Sequence, residues 1–301
     1  MSIELIQQAI CYMEDHIYED ISYTDVAKSV HMSNYQFHRT FSFIAGMTAN
    51  EYLRKRRLTL AAQELQNTGI SVIDAAYKYG WESPESFSKA FSRFHGCSPK
   101  QAKLKGATLH LFNPLVIKLI LEGGSIMDYR MEHKECQRFL ALVRAFPNEI
   151  INDDEDHSIP DFWTECSDKN RIEPMKSLRA EGKRDLFGLC SSTKDGETHF
   201  QYGIGILIDE HTDQTKLEQF QNEGYSVWET SPADYAVFSC FGPDGECIGE
   251  TWSKFYKEFL PQTGYTQTED TDYEVYYEQG TPDLVCELWI PVKKEQQSQT
   301  S

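Results

Sequence analysis

A duplication narrows the fold of this chain more than any other feature. Ala27, Phe37, Phe41 and Gly46 recur as Ala76, Phe87, Phe91 and Gly96, at an offset of 49 residues for the alanine and 50 for the rest. The second copy therefore carries one extra residue in its turn, Gly80-Trp81-Glu82. Each copy reads as helix, tight turn, helix. In the first, Ser22 precedes a short run from Asp25 to Val30, and His31-Met32-Ser33 interrupts it. Ser33 then caps a helix from Asn34 to Ala45 that Gly46 ends. Thr48 and Glu51 have capping-box spacing and open a long helix to about Gln66, stopped by Asn67-Thr68-Gly69. Ile3, Ile6, Ile10, Met13 and Ile17 mark an amphipathic helix ahead of the pair, and Ser98-Pro99 opens a short one after it.

The spacing also predicts which faces are free. Phe37, Phe41 and Ile44 fall on one side of the first copy's second helix, which places Asn34, Tyr35, His38 and Arg39 on the other. In the second copy Phe87, Ala90, Phe91 and Phe94 turn inward, leaving Pro84, Glu85, Ser88, Lys89 and Ser92 outward. A connecting helix of about 19 residues spans roughly 28 Å at 1.5 Å per residue. Two helices held that far apart can enter successive major grooves, which lie about 34 Å apart on one side of a duplex. The run Arg54, Lys55, Arg56 and Arg57 is expected to send some members, Arg54 first, to phosphates.

The string Ala75-Ala76, Gly80-Trp81, Ser83, Phe87-Ser88, Phe91, Gly96 and Ser98-Pro99 resembles the signature of the AraC/XylS transcription regulators. The resemblance covers residues 1–105 and implies double-stranded DNA as a partner, with contacts from the outward positions just named. Two departures are visible: His31 stands where the first turn often has glycine, and Gln101-Ala102 lacks the tyrosine usual after the Ser-Pro pair.

Charge divides the chain where the pattern does. Residues 1–107 carry 12 Lys and Arg against 11 Asp and Glu, and the rest of the 29 and 47 in the whole chain leaves 17 against 36 for residues 108–301. The overall balance of −18 thus hides a nearly neutral helical part and a strongly acidic remainder. Hydrophobic residues at 40% suffice for packed cores, so disorder is excluded for most of the chain. The longest apolar run, Leu115 to Leu121, is far short of the roughly 20 residues of a membrane helix and holds Lys118. Eight cysteines without a CxxC pair and a start without a basic segment lead to the expectation of a cytoplasmic protein with reduced thiols. No metal site and no cofactor are expected.

The expected organisation is multidomain: an all-α tandem helix-turn-helix domain at 1–107, a linker or docking strand at 108–125, an α+β domain at 126–293 and a disordered tail at 294–301. Strand patterns fall at 127–135, 138–146, 185–191, 198–208, 233–241, 273–277 and 284–292, with helical segments near 158–180, 214–222 and 247–260. Five pieces in order carry a second resemblance. They are Phe200 to Gly205, Pro232 to Phe238, Phe259-Leu260-Pro261 with Gly264-Tyr265, Tyr273 to Tyr276, and Leu288 to Val292. Together they resemble the GyrI-like effector-binding domain, which implies two strand-helix-strand-strand units around a central cleft.

In that family a glutamate on a late strand sits at the bottom of an aromatic cleft and meets cationic or amphipathic ligands, and Glu274 is the matching residue. The pleat agrees, because Glu274 and Tyr276 share one face while Tyr273, Val275 and Tyr277 take the other. A carboxylate among aromatic rings offers a countercharge and π surface to an organic cation, and desolvation there raises its pKa. The expected wall is Trp163, Phe200, Tyr202, Tyr235, Phe238, Trp252, Tyr256, Tyr276 and Trp289, about half of it on the cleft, with Glu287 a weaker second carboxylate. The leading function is a transcription regulator, not an enzyme, controlled by a small hydrophobic and cationic effector, with RNA polymerase as a further partner and no membrane role. The alternatives are a hydrolase of small electrophiles with a glutamate base, or a protein-interaction module.

Overall fold

The computed structural model describes residues 2–104, 106–117, 127–148, 159–183, 185–192 and 198–295. The chain divides into two compact units between Leu121 and Glu122.

The first unit is helical, and each boundary has a local cause. Its helices are α1 (Ser2–Asp15), α2 (Tyr23–Ser29), α3 (Asn34–Ala45), α4 (Ala49–Asn67), α5 (Val72–Lys78), α6 (Pro84–His95) and α7 (Pro99–Ala102). Ser22, Ser33, Thr48, Ser71, Ser83 and Ser98 each accept the third backbone N–H of the helix that follows. Gly46 and Gly96 end the two second helices in the left-handed region, at φ 69° and 73°. The duplication extends to hydrogen bonds. Met32 N donates to Ala27 O at 3.0 Å and Trp81 N to Ala76 O at 2.9 Å, closing the two turns alike. His31 at φ 56° takes the left-handed geometry that Gly80 takes at 83°, so the departure in sequence leaves the turn unchanged. A non-glycine residue there costs on the order of 1 kcal/mol.

Helix α4 walls both halves. Its Tyr52 and Leu53 join a core with Ile6, Met13, Val26, Phe37 and Phe41, while its Leu58, Ala61 and Leu65 join a second core with Ala76, Phe87 and Phe91. The described part of the expected linker packs back on this unit. Leu109 lies against the second core, and Phe112, Leu115 and Ile117 against the first. Phe112 N donates to Thr59 Oγ1 at 3.0 Å. The remainder of that segment, 118–126, lies outside the described residues.

The second unit mixes helices with one antiparallel sheet. In chain order come β1 (Arg130–Lys134), β2 (Arg138–Pro147), α8 (Ile159–Asp168), α9 (Ile172–Met175), β3 (Leu186–Ser192), β4 (His199–Ile208), α10 (Gln214–Asn222) and β5 (Ser226–Glu229). After these follow β6 (Ala233–Phe241), α11 (Glu246–Lys254), α12 (Leu260–Thr263), β7 (Tyr265–Gln267), β8 (Asp272–Tyr276) and β9 (Leu284–Lys294). A π-helical turn, Phe255–Phe259, joins α11 to α12. The sheet order is β1-β6-β9-β8-β3-β4-β2-β5, with β7 on β9.

Two copies of strand-helix-strand-strand lie inside this order: β2-α8-β3-β4 and β6-α11-β8-β9. Their sheets read β2-β4-β3 and β8-β9-β6, joined where β3 pairs with β8. On one face Phe139, Phe187, Leu189, Trp228, Tyr235, Val237, Tyr273, Val275 and Trp289 form a closed core. The sheet curls enough that Phe139 of β2 meets Tyr273 of β8, their rings 6.3 Å apart, across the two strands between them. The helices α8 and α11 cover the other face, where Phe162 packs on Phe146 and Thr251 on Cys240. Strands β5 and β7 lie outside the expected set, being four and three residues long, too short for a period to register. Lys294 is still strand and Glu295 N donates to Gly264 O, so the pairing outruns the expected start of the tail; 296–301 lie outside the described residues.

Candidate functional site

The helical unit sorts its predicted DNA contacts into those it presents and those it withdraws. On α3, Tyr35 and Arg39 are half-buried neighbours, the guanidinium carbon 5.2 Å over the phenol ring and bonded to its hydroxyl. Asn34 is 8% exposed and belongs to the buried side, against the sequence expectation. His38 is turned inward too, beside Tyr23 with ring centroids 6.4 Å apart. Burial, with Arg39 nearby, pushes the imidazole down to about 4, and its Nε2 has no hydrogen-bond partner. It is neutral at physiological pH and offers phosphate no charge. On α6, Glu85 and Lys89 are exposed and Pro84, Ser88 and Ser92 half-buried, with Ser88 Oγ donating to Pro84 O at 2.7 Å. Exposed Arg93 joins this face, a position the sequence reading passed over although it follows Lys89 at helical spacing.

The basic run divides in the same way. Arg54 is exposed. Lys55 is drawn to Glu51 at 2.6 Å. Arg56 is 7% exposed, clamps Glu14 through Nε at 2.8 Å and Nη2 at 2.9 Å, and donates to Phe112 O at 2.6 Å. Arg57 donates to the carbonyls of Ile17 at 2.9 Å and Glu19 at 2.6 Å, and its Nη1 lies 3.1 Å from where a Cβ on Gly80 would stand. Arg56 and Arg57 are therefore structural, which leaves Arg54 as the exposed member of the run.

In the second unit, the junction of the two sheet halves holds a carboxylate cluster. Glu274 Oε2 accepts from Tyr202 Oη at 2.8 Å and Tyr276 Oη at 3.0 Å, and Trp163 Nε1 donates to Tyr202 Oη at 3.0 Å. Trp163 stands edge-on to Tyr276 with centroids 5.1 Å apart. Burial, then the nearby Glu274 carboxylate, raises the pKa of Tyr202 and of Tyr276 far above the ordinary phenol value, so both remain donors. The sequence reading missed Gly188, whose register partner is Glu274. Tyr202 and Glu274 lie on strands that flank β3, roughly 10 Å apart at two strand spacings. They meet only because β3 has no side chain between them: a Cβ on Gly188 would stand 2.2 Å from Tyr202 Oη and 2.4 Å from Glu274 Oε2. A glycine inside an apolar strand was the available signal.

The other predicted wall residues divide by face. Tyr235 and Trp289 pack with Tyr273 in the closed core, on the side opposite Glu274, and so leave the predicted wall. Phe238 shares Glu274's face through Leu288, two strands away, and contacts Phe255 and Phe259. Trp252 stacks on Tyr256 beside that cluster, centroids 5.8 Å apart, and Phe200 stacks on Phe146 at 5.7 Å. Glu287 faces the closed core, where Arg130 grips it through both oxygens at 2.6 Å and Tyr277 Oη donates at 2.6 Å. Burial opposes its ionisation, but Arg130 and Tyr277 outweigh burial and hold its pKa below the ordinary carboxylate value. Among the described residues no helix is long and apolar enough to cross a membrane, and no group of three or more His, Cys, Asp or Glu is arranged around a metal position.

A duplicated helix-turn-helix reader joined to an effector-binding fold defines a DNA-binding transcription regulator. A helix-turn-helix domain model matches residues 26–104, and the model of the integron-associated effector binding protein matches residues 141–292. The transcriptional activator AarP of Providencia stuartii is 36% identical over 33% of this chain and 74% of its own length. The right origin-binding protein of Escherichia coli is 27% identical over 96% of this chain and 98% of its own. A solved structure of SAV2435 bound to tetraphenylphosphonium matches 56% of this chain and 94% of that one, at 17% identity and a TM-score of 0.45. The chain belongs to the AraC family of transcription regulators and carries an integron-associated effector-binding domain in its C-terminal unit.

Proposed function

We propose that this regulator works in the cytoplasm, reads DNA through α3 and α6, and is controlled by a small hydrophobic cation bound at Glu274, with RNA polymerase as a further partner. The boundaries 1–107 for the reader and 126–293 for the effector domain go with this reading. On the DNA side the proposed contacts are Tyr35, Arg39, Arg54, Pro84, Glu85, Ser88, Lys89, Ser92 and Arg93. The reading of the effector rests on one observation: a half-buried carboxylate accepts two tyrosine hydroxyls on one oxygen beside a tryptophan edge. Such a site gives an organic cation a countercharge already in place and aromatic surface around it. An oxygen shared by two phenol donors is arranged to hold charge, not freed to take a substrate proton as a hydrolytic base would be. The acidic balance of residues 108–301 draws cations toward the domain.

The test is a thermal-shift screen of the full chain against tetraphenylphosphonium, neutral triphenylphosphine oxide and the anion tetraphenylborate, repeated with Glu274→Gln. A ligand that binds only the folded state raises its stability by about 2.7 kcal/mol at a hundredfold excess over Kd. The expected result is stabilisation by the cation alone, lost in the variant. Stabilisation unaffected by the substitution would remove Glu274 from the mechanism.

A further inference from the structure

On the helix-covered face of the sheet, β6 and β9 bring two thiols together. Cys240 on β6 and Cys286 on β9 are directly opposed in register and buried, at 1% and 0% exposure. Opposed residues on antiparallel strands have Cα atoms about 4.5 to 5.5 Å apart, within the roughly 4.4 to 6.8 Å that a disulfide spans. Cys240 Sγ also donates to Thr251 Oγ1 at 3.4 Å. The neighbouring Cys286, and then Thr251, hold the Cys240 thiol below its ordinary pKa despite burial. A third thiol, Cys247 on α11, is engaged elsewhere, its Sγ 3.2 Å from Asp244 O.

We propose that Cys240 and Cys286 are a redox site, oxidised by hydrogen peroxide to a cross-strand disulfide and returned to thiols by a small-molecule dithiol. In the first step the Cys240 thiolate attacks a peroxide oxygen, the O–O bond breaks, and the sulfur becomes a sulfenic acid while the leaving oxygen takes a proton to become water. In the second, the Cys286 sulfur attacks the sulfenic sulfur, the S–S bond forms, and the thiol proton leaves with the hydroxyl as a second water. Two electrons pass from the thiol pair to the peroxide. The resulting bond ties β6 to β9 on the face of the sheet that also carries Glu274. It gives the domain a second input, one that does not depend on the effector reading.

The experiment treats the full chain with hydrogen peroxide, blocks remaining thiols under denaturing conditions with iodoacetamide, and maps peptides without reduction. The expected product is a Cys240 peptide joined to a Cys286 peptide, two hydrogens lighter than the sum, which dithiothreitol separates. Two results would overturn the proposal: both cysteines fully alkylated while exposed Cys11 and Cys136 have oxidised, or Cys240 joined to Cys247 instead. The wild-type chain suffices, so no variant has to fold.

Discussion

At the scale of single residues, neighbours in sequence have unrelated roles, and paired substitutions separate them. Arg54→Ala removes an exposed cation. Expected are a change in folding stability within about 0.5 kcal/mol and a DNA-binding salt slope smaller by about 1, read by titration at several salt concentrations. Arg56→Ala leaves Glu14 without its clamp in a partly buried site. That loss costs about 3 kcal/mol or more, read as an earlier denaturant midpoint. Gly188→Ala drives a methyl into the contact between Tyr202 and Glu274. Both atoms in the way are side-chain ends, so the expected cost is about 1 to 3 kcal/mol, with affinity for tetraphenylphosphonium down at least tenfold by calorimetry. His38 shows its role through pH. Its ordinary value of 6.5 applies to the unfolded chain and about 4 to the fold, so the unfolded state takes up the proton first. Stability is whole above about pH 6.5 and lost progressively toward pH 4, by up to about 3 kcal/mol at 1.36 per pKa unit. His38→Gln should flatten that part of the pH profile; an unchanged profile would place the loss elsewhere.

At the scale of elements, the helical unit was legible because its signals are local. Serine or threonine caps, glycine stops and phenylalanines at helical spacing fix α2 to α7 within a few neighbouring residues. What those signals leave open is which polar residues turn inward. Thr40 and Asn34 are buried on α3 at 1% and 8% exposure, and no apolar stripe marks them. Apart from β5 and β7, the strands were legible as strands, but their facing was not. With a closed core on one side and helices on the other, both sides of a strand are apolar, so alternation cannot separate Tyr235 and Trp289 from Phe238. Glu274 was named from its match to the family's late-strand glutamate, whereas Gly188 shows its purpose only once β3 lies between β4 and β8. The turns are also elements with a mechanical role. Arg57 holds the segment after α1 through the carbonyls of Ile17 and Glu19 and lies against the turn at Gly80, so it touches both reading halves. Arg57→Met is expected to weaken binding to a selected two-groove duplex several-fold more than binding to a duplex carrying one groove site; equal losses in a gel-shift comparison would contradict this.

At the scale of the whole molecule, the charge division separates a nearly neutral reader from an acidic domain, and the proposed cationic effector goes with the latter. Regulation then requires that the effector favour one state of the protein over another, and its differential affinity sets the size of the response. The measurement that bears most directly on this account is a calorimetric titration of the full chain with tetraphenylphosphonium and with tetraphenylborate, ions of nearly equal shape and opposite charge. Binding of the cation at least a hundredfold tighter than the anion, a difference of about 2.8 kcal/mol at 1.4 per tenfold, and its loss in Glu274→Gln, is the predicted result. Equal affinity for the two ions, or a cation affinity indifferent to Glu274, would contradict it.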